Sequence, residues 1–216
     1  MVRFDQKMVN NINEFNISVF MTREKVYLAY FNSREKLLYY NQLKELTGLS
    51  YSSLQNVLKK MLDAEEIVKI KTKSNVYYKL TYLKPIEFSK ISINLLKELN
   101  RNIRIPVKEF VEQLPMHIHS AALFGSASKK QEKTNSDIDI LIILENFENK
   151  ELQKKYQEEV KKIISKINII SIYPLSIAYT NIETFRKQED YLLKEVKNTG
   201  FPILNQQKYF EAINDK

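Results

Sequence analysis

The sequence predicts an α+β chain in two parts, and three observations predict it. Helical periodicity fills the first half and gives way to one basic, alternating β-rich stretch. In the second half β-rich runs alternate with amphipathic helices. The charge is also uneven. Lys and Arg exceed Asp and Glu by six over residues 1–90 and by two over residues 91–216, in a chain with net charge +8. Such asymmetry points to a polyanion-binding half and a differently employed half. The break is expected after residue 84, giving parts 1–84 and 85–216.

Composition removes several classes of function. Hydrophobic residues make up 44% of 216, enough for a packed core. Cysteine is absent, which excludes disulfides, thiolate metal sites and cysteine nucleophiles together. The start, MVRFDQKMVNNINEF, has no long apolar run of the kind a secretory signal needs. No stretch is apolar enough to span a bilayer. The expectation is a soluble, cytoplasmic protein with no membrane partner.

The first part reads as follows. Residues 1–20 form a lead-in with some amphipathic character. TREKVYLAYFNS, from Thr22, carries a capping residue and apolar Val26, Leu28, Ala29 and Phe31, so it predicts a helix. Leu43 and Leu46 give a short helical face, and Gly48 with Leu49 makes a turn. Ser50 caps a second helix striped by Leu54, Val57, Leu58, Met61 and Leu62. Two helices about a tight Gly turn are the helix-turn-helix pattern. VKIKTKSNVYYKLTY then alternates and breaks at Ser74–Asn75. It predicts a hairpin with an apolar face, Val68 and Ile70, and a basic face, Lys69, Lys71 and Lys73.

The second part begins past Pro85. INLLKELNRNI and PVKEFVEQL predict two helices, the second opening at Pro106. HIHSAALF (117–124) and DIDILIIL predict strands, and residues 150–167 a long amphipathic helix whose lysines form a solvated face. Residues 168–179 read as a third β-rich run, broken at Pro174. Residues 181–198 read as one helix, stopped by Gly200 and Pro202. FPILN reads as a last short strand. Only three glycines occur, Gly48, Gly125 and Gly200, each expected where a side chain is not tolerated.

The chemistry concentrates in LFGSASKKQEKTNSDIDILIIL, residues 123–144. Residues two apart on a strand share a face, so Asp137 and Asp139 present neighbouring carboxylates while Ile138 and Ile140 face the core. Two close anions repel, and a divalent cation relieves them. Oxygen-only ligands favour Mg²⁺ or Mn²⁺. Gly125 and Ser126 directly follow a strand. A helical turn opening there aims backbone N–H groups at a phosphate, with Lys129, Lys130 and Lys133 in the same loop. A phosphate cradle beside a metal-binding acid pair suits attack on the α-phosphorus of a nucleoside triphosphate, ATP among them.

Three helices followed by a basic hairpin, over roughly residues 20–82, resemble a winged helix-turn-helix domain. GS, ten residues, then DIDI, within residues 95–205, resembles the minimal branch of the polymerase-β-type nucleotidyltransferase superfamily. YLLKEVKNTGFPIL is similar to the closing helix and turn of such domains. This resemblance implies an α/β domain with a short mixed sheet. It implies NTP as substrate, Gly125 and Ser126 on the triphosphate, and Mg²⁺ on Asp137, Asp139 and a third acid of a later strand. Two departures stand out. Relatives often have Arg-Gly where this chain has Lys129–Lys130. The run Ile167 to Thr180 holds no Asp or Glu; its polar choices are Asn168, Ser171 and Ser176.

The winged-helix resemblance implies DNA as partner. Tyr51, Ser52, Gln55, Asn56 and Lys59 would face bases, Lys69, Lys71 and Lys73 would meet phosphates, and a homodimer is favoured. Packing or dimerisation is the alternative use of such a module. The superfamily resemblance also implies a toxin–antitoxin role, in which the enzyme modifies a partner protein. Other hydroxyl acceptors are a nucleic-acid end and a small molecule. A second function stays open: a DNA-binding regulator whose second domain senses nucleotide or holds a partner without turnover. His117 and His119 lack further ligands nearby and read as structural.

Overall fold

The computed structural model describes residues 21–33, 35, 37–73, 75–81, 85–115, 117–146, 150–187 and 190–214. The expectation for residues 1–20 lies outside the described residues. The chain divides into two compact units, Met1–Ile91 and Ser92–Lys216.

In the first unit α1 (Thr22–Ser33) is buried all round through Val26–Phe31 and forms the centre of the core. A short strand, β1 (Leu37–Tyr39), follows; helical periodicity gives no sign of it. Helix α2 (Tyr40–Thr47) ends at Gly48, whose φ of +62° turns the chain while its N–H donates to the Lys44 carbonyl. Helix α3 (Tyr51–Asp63) is capped as expected: the Ser50 hydroxyl accepts from the Ser53 N–H at 3.2 Å. Its stripe Leu54, Val57, Leu58 and Met61 is buried. Strands β2 (Ile67–Lys71) and β3 (Val76–Leu80) pair antiparallel, and β1 joins on the other edge of β3, in order β1-β3-β2.

Alternation sets an apolar face on the hairpin without saying which way it points. Val68 and Ile70 do not face the core; they are 42% and 38% exposed. Register explains it. Ile67 pairs with Leu80 and both are buried, so with a two-residue period the next positions on that face are Lys69 and Lys71. Both lysines are exposed, so along β2 the core-side face leaves the core after Ile67, while Tyr78 and Leu38 on the neighbouring strands stay buried. Val68 and Ile70 share the outer face with Leu37, Tyr39, Tyr77 and Lys79.

A polar knot ties α1 to the start of the hairpin. Glu66 is buried at 5% exposure. The Arg23 guanidinium donates to both of its oxygens, Nε to Oε2 at 2.9 Å, and the Tyr27 hydroxyl donates to Oε2 at 3.0 Å. Burial together with the Glu66 hydrogen bond pushes the Tyr27 phenol well above its usual value.

The second unit is built on a four-stranded mixed sheet, order β6-β5-β4-β7. Helix α4 (Pro85–Lys97) opens on a proline and contains the division between the units, while α5 (Arg101–Gln113) corrects the expected start at Pro106. Asn100 caps α5, accepting from the Asn102 N–H at 3.0 Å, which leaves Pro106 inside the helix and buried. Strands β4 (Ile118–Phe124) and β5 (Ile138–Leu144) are the sheet's centre. The turn α6 (Gly125–Ser128) follows β4 directly. Helix α7 (Lys150–Ile170) crosses over to β6 (Leu175–Asn181), which runs parallel to β5.

Two further expectations are corrected there. Residues 168–170 belong to α7, and only the residues after Pro174 form a strand. Asn168 makes the change of direction. Its Oδ1 accepts from the Leu175 N–H at 2.8 Å and its amide reaches the Leu175 carbonyl at 3.4 Å. The stretch read as one helix is two, α8 (Ile182–Lys187) and α9 (Tyr191–Thr199), because Asp190 caps the second through the Leu192 N–H at 3.0 Å. Strand β7 (Phe201–Leu204) was expected, whereas α10 (Gln206–Asn214) was not. Among the described residues no helix is long and apolar enough to cross a membrane.

Replacing Glu66 by Ala strands the buried Tyr27 hydroxyl and one face of Arg23. A loss of about 2–3 kcal/mol is expected for the first unit. Arg23→Ala should cost less, since that side chain is half exposed. Amide hydrogen exchange checks this: in Glu66→Ala protection should fall along α1 while β4 and β5 keep theirs.

Candidate functional site

The end of β4 and the start of β5 bring the glycine–serine turn and the aspartates together. Phe124 and Asp139 are register partners across these antiparallel strands, so Gly125 leaves the sheet beside Asp139. Gly125 has a φ of +69°, and a Cβ placed on it would lie 2.4 Å from Asp139 Oδ2 and 3.3 Å from its Cγ. The glycine is therefore required twice, by its left-handed backbone and by the carboxylate that occupies the side-chain space. The sequence suggests that the missing side chain admits a phosphate; it first of all admits Asp139.

The turn itself is held from behind. The Ser128 hydroxyl, buried, donates to the Gly125 carbonyl at 2.9 Å and the Thr199 carbonyl at 3.1 Å. Gly200 seats the end of α9 against β4, where a Cβ would come within 2.8 Å of the Leu123 carbonyl oxygen. The Ser126 carbonyl accepts from the N–H groups of Lys129 and Gln131. No side chain caps the amino end of α6, and no protein group among the described residues engages the Ser126 hydroxyl. Lys130 takes a φ of +55° at the position where relatives were expected to have glycine, at a cost of about 1–2 kcal/mol.

Asp137 lies just before β5 and is exposed; Asp139 lies on the strand and is half-buried. Ile138 and Ile140 are fully buried on the opposite face, as the two-residue period requires. Burial raises the Asp139 carboxyl above its usual range, and the charges of Asp137 and Glu195 push the same way. The neighbouring Ser176 hydroxyl acts the other way, favouring the ionised carboxylate. Ser176 faces Asp139 across the parallel β5–β6 pair. Glu195, on α9, escaped the sequence reading because only packing brings that helix to α6 and β4. Asn168 and Ser171, the other polar choices, are spent on turning the chain.

Residues 104–199 match the family model of the nucleotidyltransferase domain. No curated protein matches the chain. The nucleotidyltransferase segment opens inside α5 and ends with α9, so it contains Gly125, Ser126, Asp137, Asp139 and Ser176. It supports nucleotidyl transfer as the chemistry of this unit.

The two aspartates fit a hard cation. Both donors are carboxylate oxygens, burial and then the Asp137 charge hold the Asp139 carboxyl high, and Mg²⁺ is commonly held by one or two carboxylates with phosphates completing its shell. No group of three acidic or histidine side chains among the described residues is arranged to hold a metal. His119 sits at the far end of β4 from Gly125, its Nδ1 3.1 Å from Ser120 Oγ, and His117 packs against Tyr156.

In the first unit Tyr51, Ser52, Gln55, Asn56 and Lys59 lie on α3 and are all exposed, and Lys69, Lys71 and Lys73 are exposed on and beyond β2. Tyr51 leans on Tyr40, ring centroids 5.3 Å apart, and its carbonyl accepts from the Tyr40 hydroxyl.

Two outcomes are expected. Gly125→Ala should destabilise the protein by more than the roughly 1–2 kcal/mol of its φ alone. Asp139→Ala should relieve part of that loss, so a double-mutant cycle by urea unfolding should show coupling. The second concerns pH. Folded Asp139 holds its proton more readily than an unfolded aspartate, so its ionisation opposes folding at neutral pH, and that penalty vanishes on acidification. Asp139→Asn should melt above wild type at pH 7 in metal-free buffer, the gap closing as the pH falls.

Proposed function

We propose that the chain is a nucleotidyltransferase joined to a DNA-binding module. Residues 85–216 transfer a nucleoside monophosphate from a Mg²⁺-bound NTP to a hydroxyl acceptor. The observation that carries the reading is the close approach of Gly125 and Asp139. It supports reading the turn as the phosphate-binding part of a site that includes Asp139. Asp137 and Asp139 would hold Mg²⁺, which when bound neutralises phosphate charge and favours attack at the α-phosphorus.

The chain's own groups supply the rest. The uncapped N–H groups of α6 and the Ser126 hydroxyl offer donors to the β- and γ-phosphates of the substrate. Lys129, Lys130 and Lys133 add positive charge from the same loop. Ser128 and Gly200 keep the turn in place, so the donors stay aimed as pyrophosphate departs. ATP is one substrate of this class. Acceptors of the right chemistry are a protein side chain, as in an antitoxin-like enzyme acting on its partner, a nucleic-acid end and a small molecule.

Residues 1–84 fit a winged helix-turn-helix that binds DNA in the cytoplasm, as a homodimer. The support is the capped helix α3 with an exposed polar face, followed by a hairpin with exposed lysines. A second reading is favoured by one observation, the serine that faces Asp139 where a third acid is implied. In it the protein is a DNA-binding regulator that senses nucleotide without efficient turnover.

Purified protein with α-labelled NTPs, Mg²⁺ and cell lysate should transfer label to an acceptor. Asp137→Asn and Asp139→Asn should each lower transfer by about a hundred-fold or more. No transfer by wild type, with nucleotide still bound, would favour the sensing reading. For DNA, replacing Lys69, Lys71 and Lys73 with Ala should weaken binding at all sequences alike. The slope of log K against log salt should shrink by about 0.9 for each phosphate that the variant no longer neutralises.

A further inference from the structure

Asp139 has one neighbour on each side of its strand, and register names both. On β4 it is Phe124, which has no oxygen ligand to offer; on β6 it is Ser176. Any strand residue that shares a cation with Asp139 must therefore stand at Ser176. That side chain is exposed, so the position is open to solvent and ligand. A hydroxyl there brings an oxygen but no charge. Glu195 on α9 adds charge at longer range, yet no three acids among the described residues stand close enough to share an ion. Two carboxylates offer a formal charge of −2, and a dehydration-resistant divalent ion gains little from so few protein ligands. A triphosphate adds further oxygens and further negative charge at the same place.

We propose that Ser176 makes cation binding at this site depend on nucleotide: the metal is held as part of a metal–NTP unit and scarcely at all alone. This rests on the nucleotidyl-transfer reading and specifies how that site is loaded. A carboxylate at 176 would supply the missing charge and uncouple the two ligands.

Calorimetric titration with Mn²⁺ tests it, using wild type, Ser176→Asp and Ser176→Ala, each with and without an ATP analogue bridged by a methylene between the α- and β-phosphates. Wild type and Ser176→Ala should bind Mn²⁺ at least about ten-fold more tightly with the analogue than without. Ser176→Asp should bind free Mn²⁺ at least about ten-fold more tightly than wild type, with the analogue's effect reduced. Position 176 is exposed, and circular dichroism will confirm that each variant is folded. Tight binding of free Mn²⁺ by wild type overturns the proposal. So does analogue uptake by Ser176→Asp without tighter Mn²⁺ binding, which leaves the transfer reading standing. No analogue uptake by any of the three proteins overturns the transfer reading and this coupling together.

Discussion

The second unit depends on one close approach, that of the Asp139 carboxylate to the α-carbon of Gly125. A side chain at 125 would occupy the space of Asp139 Oδ2. Because it is absent, the end of β4 and the start of β5 stay in register, and the turn that follows β4 opens onto the acid pair. The surrounding structure maintains this approach. Ser128 fastens the turn to the end of α9, and Gly200 lets that helix end against β4. The turn is thus fastened from behind, while the β6 side, where Ser176 stands, is exposed.

Electrostatics give the same site its character. Asp139 carries an ionisation that burial and two neighbouring acids disfavour, and the Ser176 hydroxyl offsets them in part. In the first unit the opposite holds. Glu66, though buried, is fully answered by Arg23 and Tyr27, so its charge fixes α1 to the hairpin and leaves nothing for a ligand. Glu66 is buried with its partners and Asp139 is half-buried beside further acids, and the difference lies in which neighbours the fold brings to each.

The hairpin of the first unit combines both lessons. Its lysines are exposed, which suits phosphate binding, yet its apolar residues are exposed too. An alternating pattern tells which residues share a face. It does not tell which face meets the core, because that depends on where the helices end above the sheet. On that face Ile67, Leu80, Tyr78 and Leu38 are buried, and only along the edge strand β2 do Lys69 and Lys71 carry it into solvent.

What the sequence by itself determined was local. The Ser50 cap, the stripe of α3, the two-residue period that sends Ile138 and Ile140 inward, and the spacing from Gly125–Ser126 to Asp137 and Asp139 are all short-range facts. Each was legible because period and capping act within a few residues. The end of α7, the split of α8 from α9 and the placing of Pro106 inside α5 turned on side-chain caps by Asn168, Asp190 and Asn100 that compete with propensity. Tertiary structure alone decided that Ser176 faces Asp139 and that Glu195 reaches it from a helix. Register between strands distant in sequence, and the packing of α9 on β4, are set by burial of the whole sheet, which no local pattern encodes.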